Sequence, residues 1–182
     1  MHTEKMLSSE LKFKGNIITA YQDTVELENG KEATRDVVRH KGAVCVAPVT
    51  DKGEFLFVKQ FRYPIGRELL ELPAGKLDSI DEIPLECCQR ELEEETGMRA
   101  KEIIYLGDYI ASPGFCDEKI SLYLARGLYS GIANPDDDEF LDVIPIPVEK
   151  AVEMVMDNSI CDGKTQALIL KAVKYMEKNK MS

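Results

Sequence analysis

The segment PLECCQRELEEETG, residues 84–97, constrains this chain more than any other. Proline suits the first turn of a helix, where the N–H it lacks is unpaired anyway. Glycine suits the position just past the last turn, where left-handed backbone favours a residue without Cβ. Together they predict one helix over residues 84–96, with Asp81 or Glu82 near its positive end. At about 100° per residue, Leu85, Cys88 and Leu92 form an apolar stripe that must face a core. Glu91 and Glu95, spaced i, i+4, lie together along one margin of that stripe, while Glu93 falls on the opposite flank and Glu94 between Glu91 and solvent. Like charges at this spacing repel, and an unpaired carboxylate at the edge of a core is costly. Two readings are open. One is a solvated acidic face in which Arg90 pairs with Glu86 or Glu94. The other is a cluster neutralised by hard divalent cations, which prefer oxygen ligands.

The rest of the chain frames this helix with strands. NIITAYQDTVELENGKEATRDVVRH holds two β-rich runs around Asn29-Gly30, a strong hairpin signal. GAVCVAPVTDKGEFLFVKQFR repeats the pattern with a turn at Asp51–Gly53, and RELLELPAG reads as a short strand ended by Pro73 and Gly75. After the helix come two strands, EIIYLGDYIAS and EKISLYLARGL, separated by SPGFCD. The acidic loop ANPDDDEF, the strand LDVIPIP and two helices, PVEKAVEMVMDN and GKTQALILKAVKYMEKNK, complete the chain. Strands, one central helix, more strands and closing helices predict an α+β sandwich with a mixed sheet. Residues 1–40 are expected to form a separate small antiparallel sheet, and residues 41–182 the main domain.

Composition narrows the function classes. The 182 residues suit one domain with an appendage, and an apolar content of 44% is enough for a real core. Lys plus Arg is 23 and Asp plus Glu is 33, a formal net charge of −10, and no basic run marks a duplex-binding face. Nucleic acid and membranes are not expected partners; a polyphosphate is compatible with an acidic protein if divalent cations lie between the two. No stretch approaches about 20 apolar residues, the length of a membrane span. The five cysteines, Cys45, Cys87, Cys88, Cys116 and Cys161, include no CxxC pair, which argues against a zinc ribbon and for reduced thiols in a cytoplasmic protein. His40 has no second histidine nearby to build a zinc site.

The central segment resembles the Nudix box, in which glycine, five residues, glutamate, seven residues, Arg-Glu, an apolar residue, any residue, Glu-Glu, any residue, glycine and an apolar residue follow in order. Arg90-Glu91-Leu92-Glu93-Glu94-Glu95-Thr96-Gly97-Met98 matches the second half in full, and Glu82 stands at the right spacing before Arg90. Six residues rather than five separate Gly75 from Glu82, so this loop carries one insertion. Residues 33 to 175 further resemble the ADP-ribose pyrophosphatase branch. The likeness runs through GAVCVAPVTDKGEFLFVKQFRYPIGRELLELPAGKLD, SPGFCDE, DDDEFLDV and CDGKTQALILKAV.

That resemblance implies hydrolysis of a nucleoside diphosphate sugar, ADP-ribose first, with Mg²⁺ or Mn²⁺ as cofactor. By the same resemblance Glu91, Glu94, Glu95 and the Ala74 carbonyl are metal ligands, and Arg90 orients the helix glutamates. Glu139 is the residue that activates or orients water, with Asp138 as the near alternative. Arg62 is the substrate contact it implies. Arg35 and Arg39, on a strand placed to reach across a dimer, are weaker candidates; in SPGF, Ser112 is a candidate pocket residue and Phe115 either stacks on a base or packs. The N-terminal sheet implies a homodimer. The chain has no Trp, so any stacking on adenine falls to Tyr21, Phe61 or Tyr63. The rival readings are the same chemistry on another nucleoside diphosphate sugar, such as GDP-mannose, and a nucleotide-binding sensor without turnover.

Overall fold

The computed structural model describes residues 2–134 and 140–180. It divides into two compact units, Met1–Lys41 with Ile110–Lys119, and Gly42–Tyr109 with Ile120–Ser182.

In the smaller unit, β1 (Lys5–Lys14), β2 (Thr19–Glu26) and β3 (Glu32–Arg39) form an antiparallel sheet in the order β1-β2-β3. The Asn29-Gly30 hairpin is present: Gly30 takes φ 74° and its N–H bonds to the Leu27 carbonyl at 2.9 Å. All ten residues of β1 are exposed, Met6, Leu7, Leu11 and Phe13 among them.

The larger unit contains β4 (Ala43–Pro48), β5 (Glu54–Arg62), β6 (Arg67–Glu71), β7 (Ala74–Lys76), α1 (Pro84–Thr96), β8 (Met98–Ile110), β9 (Lys119–Ser130), β10 (Leu141–Pro147), α2 (Val148–Met156) and α3 (Gly163–Lys178). One sheet runs β7-β4-β9-β8, and it is mixed: β4 pairs antiparallel with β7 and parallel with β9. The second runs β10-β5-β6 and is antiparallel. The period-2 geometry of a strand explains how the first sheet is buried on both faces. Val44 and Val46 of β4 point to one side and pack with Cys87, Cys88 and Leu92 of α1. Cys45 and Ala47 point to the other and join Leu168, Ile169 and Ala172 of α3. Phe55 and Phe57 of β5 bring the second sheet into that same core. The expected α+β sandwich with a mixed sheet and a small N-terminal antiparallel sheet is what the chain forms.

Three local expectations change. The turn at Asp51–Gly53 forms, with Gly53 at φ 73°, but beyond the single antiparallel bridge Val49–Phe55 its flanking strands do not pair. Both edges of β4 are already taken by β7 and β9, so the chain turns a corner and β5 enters the other sheet. RELLELPAG is likewise two strands: the Leu72-Pro73 step crosses from one sheet to the other, and Gly75 lies within β7 opposite Val44. Finally, the buried arc of α1 is rotated from the expected stripe. Cys87, Cys88, Glu91, Leu92 and Glu95 are buried, whereas Leu85 is 41% exposed. On the helical wheel this arc runs about 140° from Cys87 to Leu92, and Leu85 lies just beyond it. Glu91 and Glu95 are therefore inside the buried arc, not on its margin.

Candidate active site

The ends of α1 follow their local chemistry. Pro84 occupies the first turn, and Gly97 adopts left-handed backbone at φ 67° and donates to the Glu93 carbonyl at 2.8 Å. The N-terminal acids do not cap it: Ile83 is the capping residue and makes no side-chain bond. Glu82 instead accepts from the Asp78 N–H at 2.6 Å and from Arg90 at 3.3 Å.

Two carboxylates of α1 face β7. Glu95 is 3% exposed, and its Oε2 accepts from the Ala74 N–H at 3.1 Å. Glu91 is 9% exposed and its carboxylate lies over Gly75. A Cβ placed on Gly75 would stand 1.9 Å from that carboxylate, so close approach of backbone to the Glu91 side chain requires glycine here. Glu94 is the third carboxylate on this side of the helix.

Arg90 gathers the cluster. Its Nη1 donates to Glu91 Oε1 at 2.7 Å and to Glu94 Oε2 at 3.0 Å. Its Nη2 reaches Glu82 at 3.3 Å and the Lys76 carbonyl at 3.4 Å. Burial alone disfavours its charge, but Glu91 and the hydrogen bonds to Glu94 and Glu91 outweigh it and hold the guanidinium ionised. Of the two pairings expected for Arg90, Glu94 is the one formed. Glu93 leaves the cluster: it accepts from Arg99 at 2.7 Å and from the Ile132 N–H at 3.1 Å.

One guanidinium facing Glu82, Glu91, Glu94 and the neighbouring Glu95 leaves carboxylate charge in excess. Hard oxygen donors on a half-buried helix face are the donor set that Mg²⁺ and Mn²⁺ prefer. The residues fit such an ion by chemistry. As they stand, no three or more His, Cys, Asp or Glu side chains among the described residues are arranged around one point for it. Arg90 binds Glu91 and Glu94, and the Ala74 N–H binds Glu95.

The other site candidates divide among three places. Arg62, at the end of β5, is in the larger unit with the glutamates. Arg35 lies on β3 in the smaller unit, where it forks onto Glu4 at 3.0 and 2.5 Å and donates to the Thr34 carbonyl. Ser112 and Phe115 share a turn of that smaller unit, the Ser112 carbonyl accepting from the Phe115 N–H at 3.1 Å, and Phe115 is 57% exposed. Glu139 and Asp138 lie outside the described residues.

A polar cluster around Arg62 was not expected from the sequence. Glu71, 2% exposed at the end of β6, takes Arg62 Nε at 2.6 Å and Nη2 at 2.9 Å, and also accepts from Lys164 Nζ. Lys164 donates as well to Asp162 at 3.0 Å, and Asp162 caps α3 by accepting from the Thr165 N–H. Burial pushes the Glu71 carboxyl up, but Arg62 and Lys164 outweigh it and bring it down to about 2. The available signal was the DGKT tetrapeptide at the start of α3, which combines a capping aspartate with a lysine in the first turn of a core helix. All five cysteines are free, and burial, only partly offset by Arg90, pushes the Cys87 thiol up to about 12, far from a thiolate nucleophile.

Residues 38–164 match the NUDIX domain family, and residues 4–38 match the nucleoside diphosphate sugar hydrolase N-terminal domain. The chain is 40% identical to an ADP-ribose pyrophosphatase of Bacillus subtilis (strain 168) over 176 residues, covering 96% of this chain and 92% of that protein. It is 39% identical, with the same coverage, to a methanol dehydrogenase activator of Bacillus methanolicus. Among solved structures, that of an ADP compounds hydrolase superposes with a TM-score of 0.88 at 18% identity, covering 100% of this chain and 98% of that one, and so shares the fold. The intact Arg90-Glu91…Glu94-Glu95 set, the matched domain and these relatives place the chain in the NUDIX family.

Proposed function

We propose that this protein hydrolyses the pyrophosphate bond of ADP-ribose, adding water across one P–O bond of the anhydride to give AMP and ribose 5-phosphate. The observation that carries the reading is the buried carboxylate pair Glu91 and Glu95 closed over Gly75 and Ala74, in a chain 40% identical to an ADP-ribose pyrophosphatase. The match of residues 4–38 to a nucleoside diphosphate sugar hydrolase domain supports the substrate class without choosing the base, so GDP-mannose is the alternative substrate.

In this reading Glu91, Glu94, Glu95 and the Ala74 carbonyl would hold Mg²⁺ or Mn²⁺, which would shield the phosphate oxygens and favour ionisation of an attached water. Arg90 keeps the glutamates oriented on the helix through its contacts to Glu91 and Glu94. Arg62 meets the phosphates with a planar fork suited to them. Arg35, Ser112 and Phe115 are the substrate contacts assigned to the smaller unit, and Glu139 positions the attacking water. The reduced, cytoplasmic setting is the one in which five free thiols persist. Among the described residues, no helix is long and apolar enough to cross a membrane.

The test is a product assay with Mg²⁺ on ADP-ribose, GDP-mannose, NADH and diadenosine polyphosphates. AMP and ribose 5-phosphate are expected from ADP-ribose, with Glu95→Gln lowering turnover on the order of 100-fold. Turnover of GDP-mannose alone moves the substrate and keeps the chemistry; nucleotide binding without any turnover makes the protein a sensor. The exposed strand β1, with Met6, Leu7, Leu11 and Phe13 on a sheet edge, supports a homodimer through the small sheet. Light scattering should give twice the 20.5 kDa chain mass, and a monomer at micromolar concentration removes this part.

A further inference from the structure

We propose that Lys164 is a positioning residue: together with Glu71 it fixes the Arg62 guanidinium in the orientation that receives the substrate phosphates. The inference rests on the hydrolase reading above. Glu71 binds Arg62 through both carboxylate oxygens, Nε to Oε1 at 2.6 Å and Nη2 to Oε2 at 2.9 Å. Lys164 adds a further donor to Oε2, so the carboxylate that holds Arg62 is itself held.

Lys164 is itself held. Its side chain is only 14% exposed, and its second acceptor, Asp162, is anchored as the cap of α3. One residue further on, Thr165 is fully buried and its Oγ1 accepts from the Leu72 N–H at 3.0 Å. The first turn of α3 thus grips two consecutive residues, Glu71 and Leu72, of the segment that leads to Ala74 and Gly75. The guanidinium has five N–H donors, and Glu71 takes two. The Arg62 side chain is 37% exposed, which leaves part of the guanidinium open to a phosphate. A fork locked before the substrate arrives loses less freedom on binding, which is where the benefit appears.

The experiment compares Lys164→Met, Arg62→Ala and the double variant with the wild type on ADP-ribose and Mg²⁺, reading KM and kcat separately. Lys164→Met is expected to raise KM about tenfold with kcat within about threefold. In the Arg62→Ala background the same change should move KM by less than about twofold, because the group it positions is gone. Lys164→Arg should restore KM to within about threefold. An unchanged KM in Lys164→Met, or an equal rise in both backgrounds, overturns the positioning role and leaves Lys164 as fold support. If Lys164→Met does not fold, Asp162→Asn, which keeps an α3 cap and loosens the ammonium, replaces it with the same expected pattern and the same refutation. A wild type inactive on every nucleotide sugar overturns the hydrolase reading itself and this role with it; an active wild type with additive variants overturns only the role of Lys164.

Discussion

Gly75→Ala lowers turnover by at least about 100-fold while the melting temperature falls by no more than a few degrees. The expectation follows from what the new methyl meets. At 1.9 Å from the Glu91 carboxyl carbon and one of its oxygens, it cannot coexist with that carboxylate. The obstacle is the far end of a flexible side chain, so Glu91 rotates away and the backbone stays. The fold is spared, but the carboxylate leaves both Gly75 and its 2.7 Å bond to Arg90. Steady-state turnover of ADP-ribose and a thermal melt on the same preparation check both halves. Retained turnover would mean that Glu91 works from a rotated position and that the close approach over Gly75 has no part in the chemistry.

Glu71→Gln is the change with the largest expected cost to stability, roughly 3 kcal/mol at neutral pH, because it leaves Arg62 and Lys164 around a neutral amide. The pH dependence carries a sign. The Glu71 carboxyl lies near 4.5 ordinarily and is lowered to about 2 in the folded protein. A lowered carboxyl stabilises the fold fully above its unfolded value and loses that contribution as pH falls through the folded one. The wild-type advantage over Glu71→Gln should therefore be constant from neutral pH to about 5. It should shrink from about 4.5 toward 2. Urea midpoints of the two proteins across this range measure it. A gap that persists unchanged at the acid end would show that the amide costs stability through packing, not through its missing charge.

The two predictions touch parts of the molecule that differ in how far the sequence reveals them. The boundaries of α1 were legible because they are local: a proline and a glycine act on their own turns of backbone. The Asn29-Gly30 hairpin was legible for the same reason. The i, i+4 spacing narrowed the partner of Arg90 to Glu86 or Glu94, and the structure selects Glu94. The division of strands between sheets was not. Nothing in GAVCVAPVTDKGEFLFVKQFR states that both edges of β4 are filled by β7 and β9, and a turn chemistry that serves a hairpin also serves a corner.

The rotation of the α1 arc was hidden for a related reason. A helical wheel ranks faces by hydrophobicity, and it put Glu91 and Glu95 at the rim. Packing against β4 and β7 decided otherwise, because Ala74 offers an N–H to Glu95, Arg90 pairs with Glu91, and Gly75 leaves room for that carboxylate. Leu85, apolar and expected inside, stays out.

By itself, the sequence determined the helix, the proline that opens it and the glycine that closes it, the carboxylate pattern and the fold class, all set by neighbours within a few turns or by a motif of fixed spacing. The tertiary structure alone decided which carboxylates are buried, why residue 75 must be glycine, and that Glu71 meets Lys164 from 93 residues away. Contacts at that separation depend on how sheets and helices stack, and a desolvated charge selects its partner only after stacking has removed the water.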